Sequence, residues 1–387
     1  MGQTERAWRI ALMPGDGIGP EVMAATRQVL EALPEPALDL VELEWPSHAW
    51  HRRHGTMMPE DWTDRVSAFD ALLLGALGDP GPASDPGRYL LPDGVSLAPL
   101  LQLRKGLDLW ACERPASPLP GAPQYLADQR ALETDMLVIR ENSEGEYVDQ
   151  GGRLAPGTPR ETATQLEVFT RAGTERIIRH AFERAEQRRR ERVAGLRAPR
   201  AAAAGGYDAA VCVVTKRNAV QYAGELWSDV FAEVAAEYPA VHTHHELIDA
   251  CCMKFVTQPW QFDVVVASNL HGDILTDLAA VLAGGMGVAP SANVNPSDRS
   301  VPALFEPTHG SAPDIAGQDR AHPAAMMLTA AAMLEWLGAD DAQAASAAVE
   351  VREAVAAEML QYGMEGRTCS QVGTSVCERI RSSVRRG

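Results

Sequence analysis

Short apolar runs recur along the chain with longer helical stretches between them, and this rhythm limits the fold more than any other feature. Arg9 to Met13, Ala71-Leu72-Leu73-Leu74, Met136-Leu137-Val138-Ile139, Ala210 to Val214 and Val264-Val265-Val266-Ala267 each have the length and composition of a buried strand. Strands covered on both faces belong to largely parallel sheets flanked by helices, so the pattern predicts an α/β chain. Helices are expected from about Pro20 to Ala32, over Asp277 to Ala283 and over Pro323 to Leu337. Open α/β sheets place their sites beyond the strand ends, which directs attention to the polar residues after each run.

At 387 residues the chain exceeds one ordinary core, and roughly 150 residues per domain predicts about two or three domains. Hydrophobic residues make up 46% and charged residues 22%, which excludes wholesale disorder. The balance of 35 basic against 52 acidic side chains, −17 in all, works against nucleic-acid and membrane-surface partners. No apolar run approaches the roughly 18 residues of a membrane span, and Arg9 with Pro14-Gly15-Asp16 breaks any signal-peptide core. The expectation is a soluble, cytoplasmic protein. Cys112, Cys212, Cys251, Cys252, Cys369 and Cys377 contain no C-x-x-C pair, which argues against a disulfide framework and a zinc site. Gln150 to Gly157 reads as a projecting arm, and Arg188 to Gly206 as a solvated helix end and loop.

Gly15-Asp16-Gly17-Ile18-Gly19-Pro20-Glu21 follows the first strand and opens a helix. Proline stands where the third glycine of G-x-G-x-x-G would fall, and proline caps a helix start without any phosphate. A tight structural turn and a cofactor contact both stay open. Arg104, Arg114 and Arg140 form a second group; Leu97, Leu100 and Leu101 fall on the same helical face as Arg104. Guanidiniums pair bidentately with carboxylates, so the three suit a dicarboxylate substrate, while surface ion pairs fit equally.

Asp249, Asp273 and Asp277 form the third group. The last two lie four apart on one helical face, where their repulsion needs compensation. Capping explains Asp273 alone; a hard divalent cation explains both. Lys216 follows a buried strand, where desolvation favours a general base, and Tyr147 offers a phenolic acid; a structural role also fits each. His242, His244 and His245 do not read as a metal site, because a strand sends His244 and His245 to opposite faces.

In this order, Gly15 to Glu21, Leu103-Arg104-Lys105 with Arg114-Pro115, Val138 to Tyr147, Thr215-Lys216, Ser268 to Asp277 and Glu306 to Asp314 resemble motifs of the β-decarboxylating dehydrogenase family. That family includes isocitrate, isopropylmalate, homoisocitrate and D-malate or tartrate dehydrogenases. The resemblance implies an isopropylmalate dehydrogenase-like two-domain open α/β sheet fold with a dimer-forming arm. Residues 1–109 and 284–387 would form a large cofactor-binding domain, and 110–283 a smaller central domain with the arm near 150–170.

The resemblance further implies a homodimer with shared active sites, in which Lys216 and Asp249 serve the neighbouring subunit. Tyr147 and Lys216 would be catalytic, and Asp249, Asp273 and Asp277 would hold Mg2+ or Mn2+. Arg104, Arg114 and Arg140 would bind a small dicarboxylate, with Leu97 and Leu100 beside it. Ile18, Glu306, His309, Gly310, Ser311, Ala312, Asp314 and His322 would bind NAD, the Asp314 carboxylate repelling the 2′-phosphate of NADP. His322 stands where the family usually has an adenine-contacting asparagine.

The implied reaction is oxidative decarboxylation of a malate-type 2-hydroxy acid, D-malate or tartrate-like, to a 2-keto acid and carbon dioxide. Isocitrate enzymes usually carry Ser and Asn where this chain has Ala98 and Leu100. Isopropylmalate enzymes usually carry Glu at Leu97 and Gly-Gly-Ile-Tyr at Glu144-Gly145-Glu146-Tyr147. Arg140 to Tyr147, Leu91-Pro92-Asp93-Gly94 and Pro290 to Pro296 resemble the D-malate and tartrate branch most. Cys112-Glu113 and the long stretch Gly78 to Asp93 depart from that branch and are expected beside the substrate. The alternatives are a 3-isopropylmalate or other 3-substituted malate dehydrogenase and, in another class, a non-catalytic binding protein.

Overall fold

The structure, a computed structural model, describes residues 7–200 and 205–384. Its strands are β1 (Trp8–Gly15), β2 (Leu38–Glu42), β3 (Ala71–Ala76), β4 (Ala111–Ala116), β5 (Met136–Glu141), β6 (Gly151–Leu154), β7 (Thr162–Gln165), β8 (Ala210–Thr215), β9 (His242–Leu247), β10 (Val264–Ala267), β11 (Pro290–Val294) and β12 (Ala303–Pro307). Every apolar run singled out in the sequence lies inside one of these. The mixture of strands and helices is the α/β class that the rhythm predicts.

The chain forms two compact units: Met1–Leu109 with Pro118–Tyr125 and Ala283–Gly387, and Trp110–Ser117 with Leu126–Leu282. The sequence reading places 110–283 in one piece, whereas Pro118–Tyr125 joins the first unit. Part of the reason is local pairing: Leu119 donates its backbone N–H to the Ala283 carbonyl at 3.3 Å.

In the first unit the strand order is β2-β1-β3-β12-β11, parallel except for β11 against β12. Ile10, Leu12, Leu72, Leu73, Leu304 and Phe305 are completely buried along it, as strands covered on both faces require. The helix Gly19–Ala32 packs on β1 and β3, and the alanine-rich helix Ala324–Leu337 on β11 and β12.

In the second unit the order is β4-β5-β10-β8-β9, with β4 antiparallel to β5 and the rest parallel. The helix Arg171–Val193 packs on β5, β8 and β10 through Ile177, Ile178, Ala181, Phe182 and Ala185. β6 and β7 make an antiparallel hairpin, exposed at every residue, where the sequence reads an arm.

The arginine-rich segment corrects its reading as a solvated helix end. Arg188 and Arg192 are buried against Asp263, at 2.7 and 2.8 Å, and Arg197 pairs with Asp135 at 2.8 Å. Burial opposes ionisation of Asp135, yet Arg188, Arg197 and Arg192 override it and hold the carboxyl at about 2. Ala201–Ala204, in the same segment, lie outside the described residues. No helix among the described residues is long and apolar enough to cross a membrane.

Candidate active site

Strand register decides which side chains meet in the second unit. Cys112 on β4 stands opposite Arg140 on β5, and Arg114 opposite Val138, so Cys112, Arg114 and Arg140 share one face. The helix Asn269–Ala283 lies over that face. Arg140 donates from Nε to Asn269 Oδ1 at 2.9 Å, and from Nη1 to Asp273. Arg114 Nη1 donates to Thr276 Oγ1 at 2.6 Å, 3.6 Å from Asp277 and 3.9 Å from Asp273. Tyr147 Oη donates to Asp273 Oδ2 at 2.8 Å, and the Arg140 guanidinium lies 5.1 Å from its ring centre. The repulsion between Asp273 and Asp277 is therefore met by two guanidiniums.

These contacts set the local acidities. Burial pushes the Tyr147 phenol up, and the accepting carboxylate of Asp273 adds to it. Burial also raises Asp277, against the pull of Arg114. Both effects follow from placing charge where water is scarce. Asn269 and Thr276, which join this cluster, were not singled out in the sequence. Their spacing from Asp273, four before and three after, is the signal that a helical face offers.

Glu113 does not sit beside this cluster, contrary to the expectation for Cys112-Glu113. Strand alternation turns it to the other face, where it meets His180 Nε2 at 2.7 Å and Arg184 at 3.2 Å. Only Cys112 of that pair faces the arginines.

Lys216 follows β8 directly, and its Nζ donates to Asp249 Oδ1 at 2.8 Å in the first turn of the helix Ile248–Thr257. That ammonium holds the Asp249 carboxyl below the usual range. Among the described residues no three His, Cys, Asp or Glu side chains gather to hold a metal ion. Asp273 and Asp277 are brought together; Asp249 does not join them. Hard oxygen donors on one helix face suit magnesium or manganese, so the pair fits part of such a site. His242 stacks on Tyr207 with ring centres 3.8 Å apart, and burial lowers His244 to about 4.

In the first unit, the turn after β1 meets the loop after β12. Ile18 donates its N–H to the Ser311 carbonyl at 2.9 Å, and a Cβ on Gly17, at φ +58, would lie 2.0 Å from that oxygen. Close backbone approach thus gives the turn its structural reason for glycine. Glu21 accepts the N–H of Asp319 at 2.9 Å and of Ala321 at 3.3 Å, tying the same loop farther along. His309 and His322 each keep a buried Nε2 without a hydrogen-bond partner, and burial pushes His322 down to about 4. His322 Nδ1 accepts the Ala324 N–H at 3.2 Å. Asp314 and Gly310 are exposed, Ser311 is buried, and Ala312 has φ +40. Two orphaned ring nitrogens, and an exposed carboxylate and an open glycine along the same 309–322 segment, are polar groups of the kind a dinucleotide would use.

Arg104 is buried in this unit, its Nη2 2.7 Å from Glu306 Oε1, which Asn293 Nδ2 also meets at 3.1 Å. The helix starts at Ala98 with Leu97, itself in a helical conformation, as its N-cap. Leu97 and Leu101 are exposed, while Leu100 packs on the core.

The sequence matches the isocitrate/isopropylmalate dehydrogenase family over residues 9–378. It is 41% identical to a 3-isopropylmalate dehydrogenase of Thermobifida fusca (strain YX), over 97% of this chain and 98% of that protein. A D-malate dehydrogenase (decarboxylating) of Escherichia coli (strain K12) is 40% identical over 97% of this chain and 99% of its own. A probable tartrate dehydrogenase/decarboxylase of Agrobacterium vitis is 41% identical over 98% and 99%. Among solved structures, isocitrate dehydrogenase from Methylococcus capsulatus superposes with a TM-score of 0.76 at 31% identity, covering 97% of this chain and 99% of that one. Dehydrogenases of this family generally use NAD(P) and a divalent metal, act on small dicarboxylates and are typically dimeric. The chain belongs to the isocitrate/isopropylmalate dehydrogenase family, the decarboxylating dehydrogenases that act on a CH–OH group.

Proposed function

We propose that this chain oxidises and decarboxylates D-malate or a tartrate-like acid, with NAD and Mg2+ or Mn2+. The observation that carries the reading is the convergence of Arg114, Arg140 and Tyr147 on Asp273, next to Asp277. When bound, NAD would supply the acceptor for the C2 hydride and a divalent cation would supply polarisation of the C2 oxygen. Asp273 and Asp277 would hold that cation, joined by Asp249 of a second copy. Lys216 removes the C2 hydroxyl proton, directly or through water. Arg114 and Arg140 orient the carboxylate that leaves as carbon dioxide, and Arg104 is a further carboxylate ligand. Tyr147, kept a phenol by its raised pKa, delivers a proton to C3. Asp314 in the exposed loop favours NAD over NADP.

A homodimer sharing its sites completes this arrangement, because Asp249 stays apart from Asp273 and Asp277 within one chain. The first unit is the proposed cofactor-binding domain, and the β6–β7 hairpin the proposed dimer arm. Glu144-Gly145-Glu146-Tyr147 supports the D-malate and tartrate reading. A second reading, 3-isopropylmalate, is favoured by the Thermobifida relative's equal identity and by exposed Leu97 and Leu101 on the Arg104 helix.

The test follows NADH absorbance with D-malate, the tartrate stereoisomers, 3-isopropylmalate and isocitrate, each with magnesium or manganese. Turnover of D-malate or a tartrate, abolished in Lys216→Ala, is the expected result. Turnover of 3-isopropylmalate alone selects the second reading, and turnover of isocitrate alone refutes both.

A further inference from the structure

Asp16 and His48 are almost fully buried in the first unit, and the chemistry above uses neither. The Asp16 carboxylate accepts the His48 backbone N–H at 2.8 Å and lies 2.9 Å from His48 Nδ1. It also takes the backbone N–H of Gly78. Burial pushes the Asp16 carboxyl up from its ordinary pKa, and these donors work against that cost. A buried carboxylate with donors from two other segments is a fastener rather than a solvated turn residue.

What it fastens is specific. Asp16 donates its own N–H to the Ala76 carbonyl at 2.8 Å, so the glycine turn is held against the end of β3 twice. Ser311 fills the remaining side: its carbonyl accepts the Ile18 N–H, and a Cβ on Gly78 would lie 3.0 Å from Ser311 Oγ. His48 opens the helix His48–His54, and His51 Nδ1 of that helix lies 3.2 Å from Tyr89 Oη. Within the same long loop Arg88 pairs with Asp79 at 2.8 Å. One short helix thus holds the stretch from Gly78 to Asp93 at both ends, through Asp16 and through Tyr89.

We infer that Asp16 and His48 are positioning residues for the dinucleotide, locking the Gly15–Gly19 turn, Gly78 and Ser311 together so that the His309–Asp314 loop is ordered before the cofactor arrives. The inference rests on the proposed NAD role of that loop. Its physical content is preorganisation: a loop already ordered pays no ordering entropy on binding.

The test compares His48→Leu with His48→Asn, whose amide can donate from the position of Nδ1. NADH binding by fluorescence titration should weaken about tenfold in His48→Leu, about 1.4 kcal/mol. It should recover in His48→Asn. KM for NAD should rise by the same factor while KM for the acid does not. Backbone amides of residues 309–312 and 314 should exchange faster in His48→Leu without any cofactor. If His48→Leu does not fold, Asp16→Asn, which keeps the shape but loses an acceptor, carries the same measurements. Unchanged NADH affinity and exchange in a folded variant overturns the inference, as does a parallel rise in both KM values. Wild-type protein that binds neither NADH nor NADPH overturns the cofactor reading and this inference with it.

Discussion

Arg140 shows why residue identity matters more than charge at this site. Its guanidinium addresses Asn269 and Asp273 with different nitrogens, a fork that a single ammonium cannot reproduce. Arg140→Lys should lower kcat/KM by about a hundredfold, since the lost contact leaves a buried amide or the Asp273 carboxylate short of its partner. Steady-state kinetics beside a melting curve separate this from unfolding. Tyr147→Phe makes a different prediction. The phenol pKa is raised by burial and by Asp273, so the proton is present throughout the neutral range. Removing it should cut kcat by about 10²–10³, as for general acids, with little change in KM for the acid and no pH dependence of the loss between about pH 6 and 9. A loss confined to KM would remove Tyr147 from the proton-delivery role.

At the scale of elements, β4 is held from both faces by chemically different means. Toward the candidate site, Arg114 reaches the helix Asn269–Ala283; away from it, Glu113 reaches His180 and Arg184 on the helix Arg171–Val193. Burial disfavours the Glu113 carboxylate, but Arg184 and His180 outweigh this and hold it at about 2, below its ordinary 4.5. Burial likewise disfavours the His180 cation, yet Glu113 and Glu183 raise its pKa above the ordinary 6.5. A depressed carboxylate contributes stability that is full above 4.5 and lost as pH falls toward about 2. A raised histidine contributes stability that is full below 6.5 and lost as pH rises through its folded value. The pair therefore supports β4 most strongly between these two limits. His180→Gln should lower the melting temperature more at pH 5.5 than at pH 8.5, with about 3 kcal/mol lost at the lower pH. Calorimetry at the two pH values checks it; equal losses would mean that the ion pair adds nothing.

At the scale of the whole molecule, the second unit leaves apolar side chains in water on two helices: Met253 and Val256 on one, Leu270, Ile274 and Val281 on the other. Such a surface is what an isologous partner would cover. The proposed sharing of sites across a dimer interface predicts complementation. Lys216→Ala and Asp273→Asn, each inactive alone, should regain about a quarter of wild-type activity when unfolded and refolded as a mixture, since half the dimers are hybrids with one intact site. No recovery in a mixture that sediments as dimer would place Lys216 and Asp273 of one chain in the same site.

Much of this molecule was legible from its sequence because buried parallel strands need a continuous apolar stretch, and Ile10–Met13 in β1, Ala71–Leu74 in β3, Met136–Ile139 in β5, Ala210–Val214 in β8 and Val264–Ala267 in β10 supply one. Helical spacing likewise put Asp273 and Asp277 on one face. The edge strands β2 and β9, parallel though they are, carry no such signature, being only partly buried. Partners far apart in the chain were decided by tertiary structure alone. Glu113 and Arg114 are neighbours in sequence and face opposite helices, and Arg188 looks like surface charge until Asp263 is found beneath it. Periodicity states which side of its own element a residue occupies; what waits on that side depends on register and packing, which no local pattern encodes.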